Sequence, residues 1–300
     1  PFRHEIRSDA VPWTHTNFDT ASGNFTFAIT TDLTGGERPG VFSTAVAQLA
    51  ILRPELVMSV GDLIDGPAPI DTALTREWDD FDARARAMPA PFFRVGGNHD
   101  LTGTVLREVW KRRYGPTYYS FVYKHALFLI LDTEDLTPER ARAIFEARNE
   151  ALQAAREGRS ESGLAYYSMP ERAFGDIGVE QAAYALRVLA EHRDVQWTFV
   201  FFHKPVWRNP ADAEFQAIEA ALADRPYTVF SGHLHSLNRE LRRGREYYTL
   251  GTTGGGQNPA DPMALDHITM VRMTQSGPSI AHLRLEGILG PDGQVPTARR

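Results

Sequence analysis

Apolar residues along this chain recur with two periods. Short runs at 25–31, 56–60, 92–95, 197–202 and 227–230 are rich in aliphatic, aromatic and β-branched residues and read as buried strands. Segments with apolar residues three and four apart lie between them and predict helices at 41–52, 71–87, 105–114, 179–192 and 211–222. Val41, Ala45, Leu49 and Leu52 share one face of the first, and Val179, Ala182, Leu186 and Leu189 one face of the fourth. Thr137-Pro138 opens a long charged helix, an N-cap followed by proline at the first helical position, that ends near Gly158. Its charged surface is expected to face solvent. Hairpins are predicted for 118–123 with 126–131, for 237–241 with 246–250, and for 268–273 with 280–285, the last two turning at Arg243-Gly244 and Ser276-Gly277-Pro278. Residues 1–23 have no period and predict an extension on the surface, and 159–177 a loop or flap. The alternation reads as a single α/β domain over 1–300, with a core at 24–255, a helical insert at 134–178 and a C-terminal hairpin segment at 256–300.

Composition narrows the chemistry. Of 300 residues 42% are hydrophobic, enough for one large core. Asp and Glu number 38 against 32 Lys and Arg, which argues against a protein that coats nucleic acid. Cysteine is absent, so disulfides and thiolate metal sites are excluded, and a metal would be held by His, Asp, Glu or Asn. No apolar run is long enough to span a bilayer. A first residue of Pro1 with no signal peptide fits a processed secreted or periplasmic protein and a trimmed cytoplasmic one equally.

The strand ends carry the candidate chemistry. The run at 25–31 is followed by Asp32, that at 56–60 by Gly61-Asp62, and that at 92–95 by Gly96-Gly97-Asn98-His99-Asp100. The run at 197–202 is followed by His203, and that at 227–230 by Ser231-Gly232-His233-Leu234-His235. A single Asp at a strand end is ordinarily a cap or turn residue, but five such ends share one crevice in an open α/β sheet. Six oxygen and imidazole groups exceed the needs of one four-coordinate ion. Two ions of the Mn, Fe or Zn type are therefore expected, sharing a carboxylate. Ions roughly 3.5–4 Å apart suit in-line displacement at phosphorus.

GDLID at 61–65, GNHD at 97–100, HKP at 203–205 and GHLH at 232–235, in that order, resemble the motif set of the calcineurin-like metallophosphoesterases. The resemblance implies a four-layer α/β/β/α sandwich of two mixed β-sheets. It implies hydrolysis of a small-molecule phosphomonoester or phosphodiester by a metal-bound hydroxide. Asp62 would bridge both ions, Asn98, His203 and His233 would complete the second site, and Asp32 and His235 the first. His99 would assist the leaving oxygen, with Asp100 orienting its ring, and Asn98 and His99 would contact substrate. One position departs from the pattern. The family begins Asp-x-His, whereas this chain reads Asp32-Leu33-Thr34. Purple acid phosphatases also lack that His but supply a Tyr where this chain has Asp65. Thr34 is expected to be a turn residue or a substrate contact, and three outcomes are open at the first site: Asp32, Asp62 and His235 with extra waters, Asp65 or another group filling the gap, or a weak site beside one tightly held ion. The rival functions are a metal-poor binding scaffold and a nuclease, the latter suggested by the basic stretch 239–245.

Overall fold

Alternation within the strands sets the layering. The computed structural model describes residues 2–18, 23–66, 71–160 and 162–296. It contains strands β1 (Phe2–His4), β2 (Phe25–Thr30), β3 (Leu56–Ser59), β4 (Phe92–Phe93), β5 (Tyr119–Tyr123), β6 (Ala126–Ile130), β7 (Trp197–Phe201), β8 (Tyr227–Ser231), β9 (Asn238–Arg242), β10 (Arg245–Thr249), β11 (His267–Thr274) and β12 (Gly277–Arg284). One sheet runs β1-β5-β6-β7-β8-β10-β9 and the other β12-β11-β2-β3-β4, and both mix parallel and antiparallel pairs. Phe27 and Ile29 of β2, Leu56 and Met58 of β3, and Phe121, Phe128 and Phe201 of the larger sheet meet in an aromatic core between the sheets. The intervening residues Ala28, Val57 and Phe92 face the helices Val41–Leu52, Asp71–Arg86 and Thr104–Tyr114. Leu127, Leu129, Val200 and Val229 face the helices Val179–Glu191 and Ala213–Leu222. Period-two strands buried on both faces thus give the expected α/β/β/α sandwich.

Three local expectations give way. The N-terminal extension does more than lie on the surface: β1 pairs antiparallel with β5, and Phe2 packs edge-on against Trp13, which is itself buried. The presumed flap at 159–177 contains two short helices, Ala165–Ser168 and Pro170–Phe174. Val179, placed by periodicity on a buried face, is 71% exposed, because the helix is rotated to bury Gln181, Ala182, Ala185, Val188 and Leu189. Gln181 earns its place there by donating to the Asp132 carbonyl while accepting from the Asp132 N–H. No helix among the described residues is long and apolar enough to cross a membrane.

Candidate metal centre

The two sheets bring their strand ends together at one edge of the sandwich. Asp32, Asp62 and Asn98 follow β2, β3 and β4 of the smaller sheet, and His203, His233 and His235 follow β7 and β8 of the larger. Two groups form, Asp62 with His203 and His233, and Asp32 with Asp62 and His235. Within each group one atom per residue lies within 4.8 Å of the others, and Asp62 belongs to both. Asn98 Oδ1 lies 3.1 Å from His203 Nε2, so it joins the first group.

Hydrogen bonding on the far side of each ring fixes which nitrogen faces inward. His203 Nδ1 lies 2.8 Å from the Val60 carbonyl and carries the proton there. Its Nε2 lone pair then faces Asp62 Oδ2 at 3.2 Å and the Asn98 oxygen, acceptor against acceptor. His233 Nε2 donates to the Arg172 carbonyl at 2.7 Å, which turns the Nδ1 lone pair toward His203 Nε2 at 3.3 Å. His235 Nδ1 is held by the Gly256 carbonyl, and its Nε2 faces Asp32 Oδ1 at 3.3 Å. Such pairs of acceptors are relieved in one of two ways, by a proton on the inward nitrogen or by a cation, so the residues present fit the two metal ions that the motifs imply.

The same preference shows in proton affinity. Burial alone would lower His203, but the Asp62 charge and hydrogen bond outweigh it and lift the imidazole to about 9. His235 rises to about 9 against its burial because of its bond to Asp32 and that carboxylate's charge. Burial works against Asp62 as an anion, yet the neighbouring His203 and His99 hold it well below the usual carboxylate range. In each case the pocket favours positive charge.

The backbone is bent to reach this arrangement. Asp32, Asp62, His233 and His235 have φ of 40°, 56°, 71° and 53°, in the left-handed region. Strain of this kind costs roughly 1–3 kcal/mol per residue and persists where function needs the direction it gives a side chain. The motif glycines make room: a Cβ on Gly97 would strike Asp62 Oδ1, and one on Gly232 would strike Asp32 Oδ2.

Around these six, the other predicted residues divide. His99 belongs to neither cluster. Its Nε2 lies 3.9 Å from Asp62 Oδ2, and the ring is 19% exposed at the mouth of the site. Asp100 does not orient that ring. Its carboxylate accepts from the backbone N–H groups of Gly97, Leu63 and Ile64, at 2.8, 2.9 and 3.2 Å, and so ties the Asp62 loop to the Asn98 loop. Burial, with the Asp62 charge, raises Asp100 to about 8. Thr34 does not offer itself to substrate either. It is buried, and its hydroxyl donates to the Asp65 carboxylate. Asp65 is thereby occupied with Thr34 and belongs to neither cluster.

Sequence reasoning missed three contributors. The Thr31 hydroxyl donates to Asp32 Oδ2 and leaves Oδ1 toward His235. The Arg172 carbonyl orients His233. Arg148, on the charged helix Pro138–Arg156, is 3% exposed and places Nη2 2.7 Å from His99 Nδ1. Its signal was present: it stands on the same helix face as Ala141, Ile144, Ala147, Ala151 and Ala154, where an arginine is out of keeping.

Comparison with known proteins agrees with this fold. A dimetal phosphatase from Danio rerio superposes with a TM-score of 0.56 at 17% identity, covering 87% of this chain and 98% of the other. GAP50, described as the anchor in the inner membrane complex of Plasmodium, superposes with a TM-score of 0.55 at 15% identity, over 92% and 90%. Purple acid phosphatase PPD1 from yellow lupin gives 0.53 at 14% identity, over 91% of this chain and 53% of that one. At these identities the likeness is one of fold. No curated protein matches the sequence. The profile of the calcineurin-like phosphoesterases matches residues 25–237, more than half of the chain, and the protein belongs to that family.

Proposed function

We propose that the protein is a metal-dependent phosphoesterase that hydrolyses a small-molecule phosphomonoester or phosphodiester at a two-cation centre. The observation that carries this reading is the position of Asp62, shared by two clusters of carboxylate, amide-oxygen and imidazole groups that converge on one point each. Cations bound there would supply charge neutralisation at the phosphoryl group and acidify water. Asp62, Asn98, His203 and His233 would hold one, and Asp32, Asp62 and His235 the other. The amide nitrogen of Asn98 is left to donate to a phosphoryl oxygen. His99, beside but outside the ligand set, is positioned to hand a proton to the departing oxygen.

Purified protein supplied with Mn²⁺ or Zn²⁺ should hydrolyse p-nitrophenyl phosphate or bis(p-nitrophenyl) phosphate, with metal content read by elemental analysis. Asp62→Ala should lose both metal and activity. His99→Ala should keep its metal while turnover falls roughly 10²–10⁴-fold. Metal lost along with activity in His99→Ala would refute the role given to that residue.

One observation favours a second reading. The cluster around Asp32 has three side chains where the family pattern would place a further imidazole, and the Thr34 hydroxyl is spent on Asp65. A binding scaffold that keeps the fold would show this, and such a protein would neither retain metal nor hydrolyse either ester. The nuclease reading is weakened: of the arginines in 239–245, Arg239 is paired with Glu246, and Arg242 and Arg243 with Glu219.

A further inference from the structure

The charges of the insert 134–178 do not all find partners. Glu134 pairs with Lys204 at 2.5 Å, and Glu171 gives both carboxylate oxygens to Arg140, at 2.5 and 2.7 Å. Arg148 and Arg172 are left without a carboxylate partner among the described residues. Arg172 even stands next to Glu171 in the chain, yet that acid is turned to Arg140. In a chain of net charge −6, two uncompensated cations on one insert are out of keeping.

Both border the metal centre. Arg148 is 3% exposed and places Nη2 2.7 Å from His99 Nδ1, while its buried Nη1 has no hydrogen-bond partner. Arg172 is partly exposed, and its carbonyl accepts from His233 Nε2 at 2.7 Å. The two cations therefore flank the centre, one against His99 and the other beside His233. Tyr166 ties them together. Its phenol, raised by burial, also feels the charges of Arg148, Glu134, Arg172 and Asp62. The Arg172 guanidinium rests 5.5 Å from the centroid of the Tyr166 ring and 4.7 Å from that of Tyr167. That contact steadies the group without supplying an oxygen acceptor, and no acceptor among the described residues takes its N–H groups.

The two cations that fit the centre would already neutralise one phosphoryl group. Guanidinium groups without counter-charge beside such ions repel them, and Arg148 has in addition been taken out of water. An anion carried by the substrate beyond its phosphoryl group would offset both costs. We propose that Arg172 is a specificity-determining residue that receives a second anionic group, a carboxylate or a phosphate on the leaving group of the substrate, with Arg148 adding charge across the His99 ring. The inference rests on the phosphoesterase reading and narrows its substrate class to esters whose leaving group is itself an anion. The planar fork of N–H donors on Arg172 suits the paired oxygens of either group.

The test uses ligands that bind and are not cleaved. Propylphosphonate, 3-phosphonopropanoate and propane-1,3-diyl bisphosphonate share a three-carbon chain and end in a methyl, a carboxylate and a second phosphonate. Each is read as a competitive inhibitor of Zn²⁺-loaded protein on p-nitrophenyl phosphate or bis(p-nitrophenyl) phosphate, whichever is hydrolysed. The two anionic-ended compounds should have Ki at least about tenfold below that of propylphosphonate, the factor one charge-assisted hydrogen bond gives, and the tighter of the two identifies the anion. This comparison needs no variant. Arg172→Met should bring the ratio below about threefold, and Arg172→Lys should keep part of it. Zinc content is measured alongside, and chelation in solution, the same for every variant, cancels between them. Equal Ki for all three compounds in the wild type, or a preference that survives Arg172→Met, overturns the inference while leaving the phosphoesterase reading intact. A wild-type protein inactive on both esters overturns that reading and this inference with it.

Discussion

Gly97→Ala isolates how tightly the bridging carboxylate is held. Gly97 has φ −110° and ψ −173°, an extended conformation open to any residue, so the substitution adds no backbone strain. Its cost is collision. The new Cβ would lie 2.5 Å from the Asp62 backbone nitrogen, 2.9 Å from His203 Cγ, and closer still to Asp62 Oδ1. Carbon–oxygen contacts settle at about 3.3–3.6 Å, so Asp62 must retreat by about 1 Å. Metal–ligand distances tolerate only about 0.2 Å. The variant should therefore lose at least about tenfold in metal affinity, the scale on which disturbed support of a ligand is felt. Overpacking should lower its unfolding free energy by roughly 1–3 kcal/mol. Calorimetric titration with Mn²⁺ measures the first and urea denaturation the second. Gly158→Ala is the control: it has φ +65° and nothing within 4 Å, and should cost about 1 kcal/mol without changing metal affinity. A Gly97→Ala protein that binds Mn²⁺ as tightly as wild type would refute the argument that Asp62 is pinned against this glycine.

Two further predictions concern charge away from the centre. Asp176 is raised to about 6 by burial and the nearby Asp212 charge, so its ionisation opposes folding. Both states are protonated below about pH 4, the penalty grows as pH rises, and it is complete above about pH 6. The group is half-buried, so solvent screening trims the penalty to about 1 kcal/mol. Asp176→Asn should match wild type at pH 4 and exceed its stability by that amount at pH 8, and identical curves at pH 8 would contradict the assignment. Asp82 accepts from Arg94 at 2.7 Å and from the Tyr114 hydroxyl at 3.0 Å, all three being buried. Asp82→Ala should cost about 3–5 kcal/mol in urea unfolding because it leaves the Arg94 charge unpaired, and joining it with Arg94→Met should recover most of that loss. A single-variant loss below about 1 kcal/mol would show that the pair is solvated.

The ligands were legible in the sequence because each stands directly after an apolar run. Once Phe25–Thr30 and its fellow strands are recognised, sheet geometry alone carries Asp32, Asp62, Asn98, His203, His233 and His235 to one edge. The roles of Asp100 and Thr34 were not legible, since each is decided by a partner about thirty or more residues away in the chain. Asp100 finds Leu63 and Ile64, and Thr34 finds Asp65. Val179 misled because apolar spacing allows more than one rotation of a helix, and the buried amide of Gln181 selects among them. Arg148 was legible only from spacing: it falls on the face of Ala141, Ile144 and Ala151, a signal easily passed over in a helix full of exposed charges.

The centre also lies across the seam of the sandwich. Asp32, Asp62 and Asn98 belong to one sheet and the three histidines to the other, while the core between them is held elsewhere by stacked phenyl rings. A cation seated there would work as a rivet through both halves. Catalysis and mechanical cohesion would then draw on the same bonds, and a chelator that silences the enzyme would also loosen this edge of the fold, leaving the sheets joined by their aromatic interior and by polar contacts such as His203 Nδ1 to the Val60 carbonyl and Lys124 to Glu55.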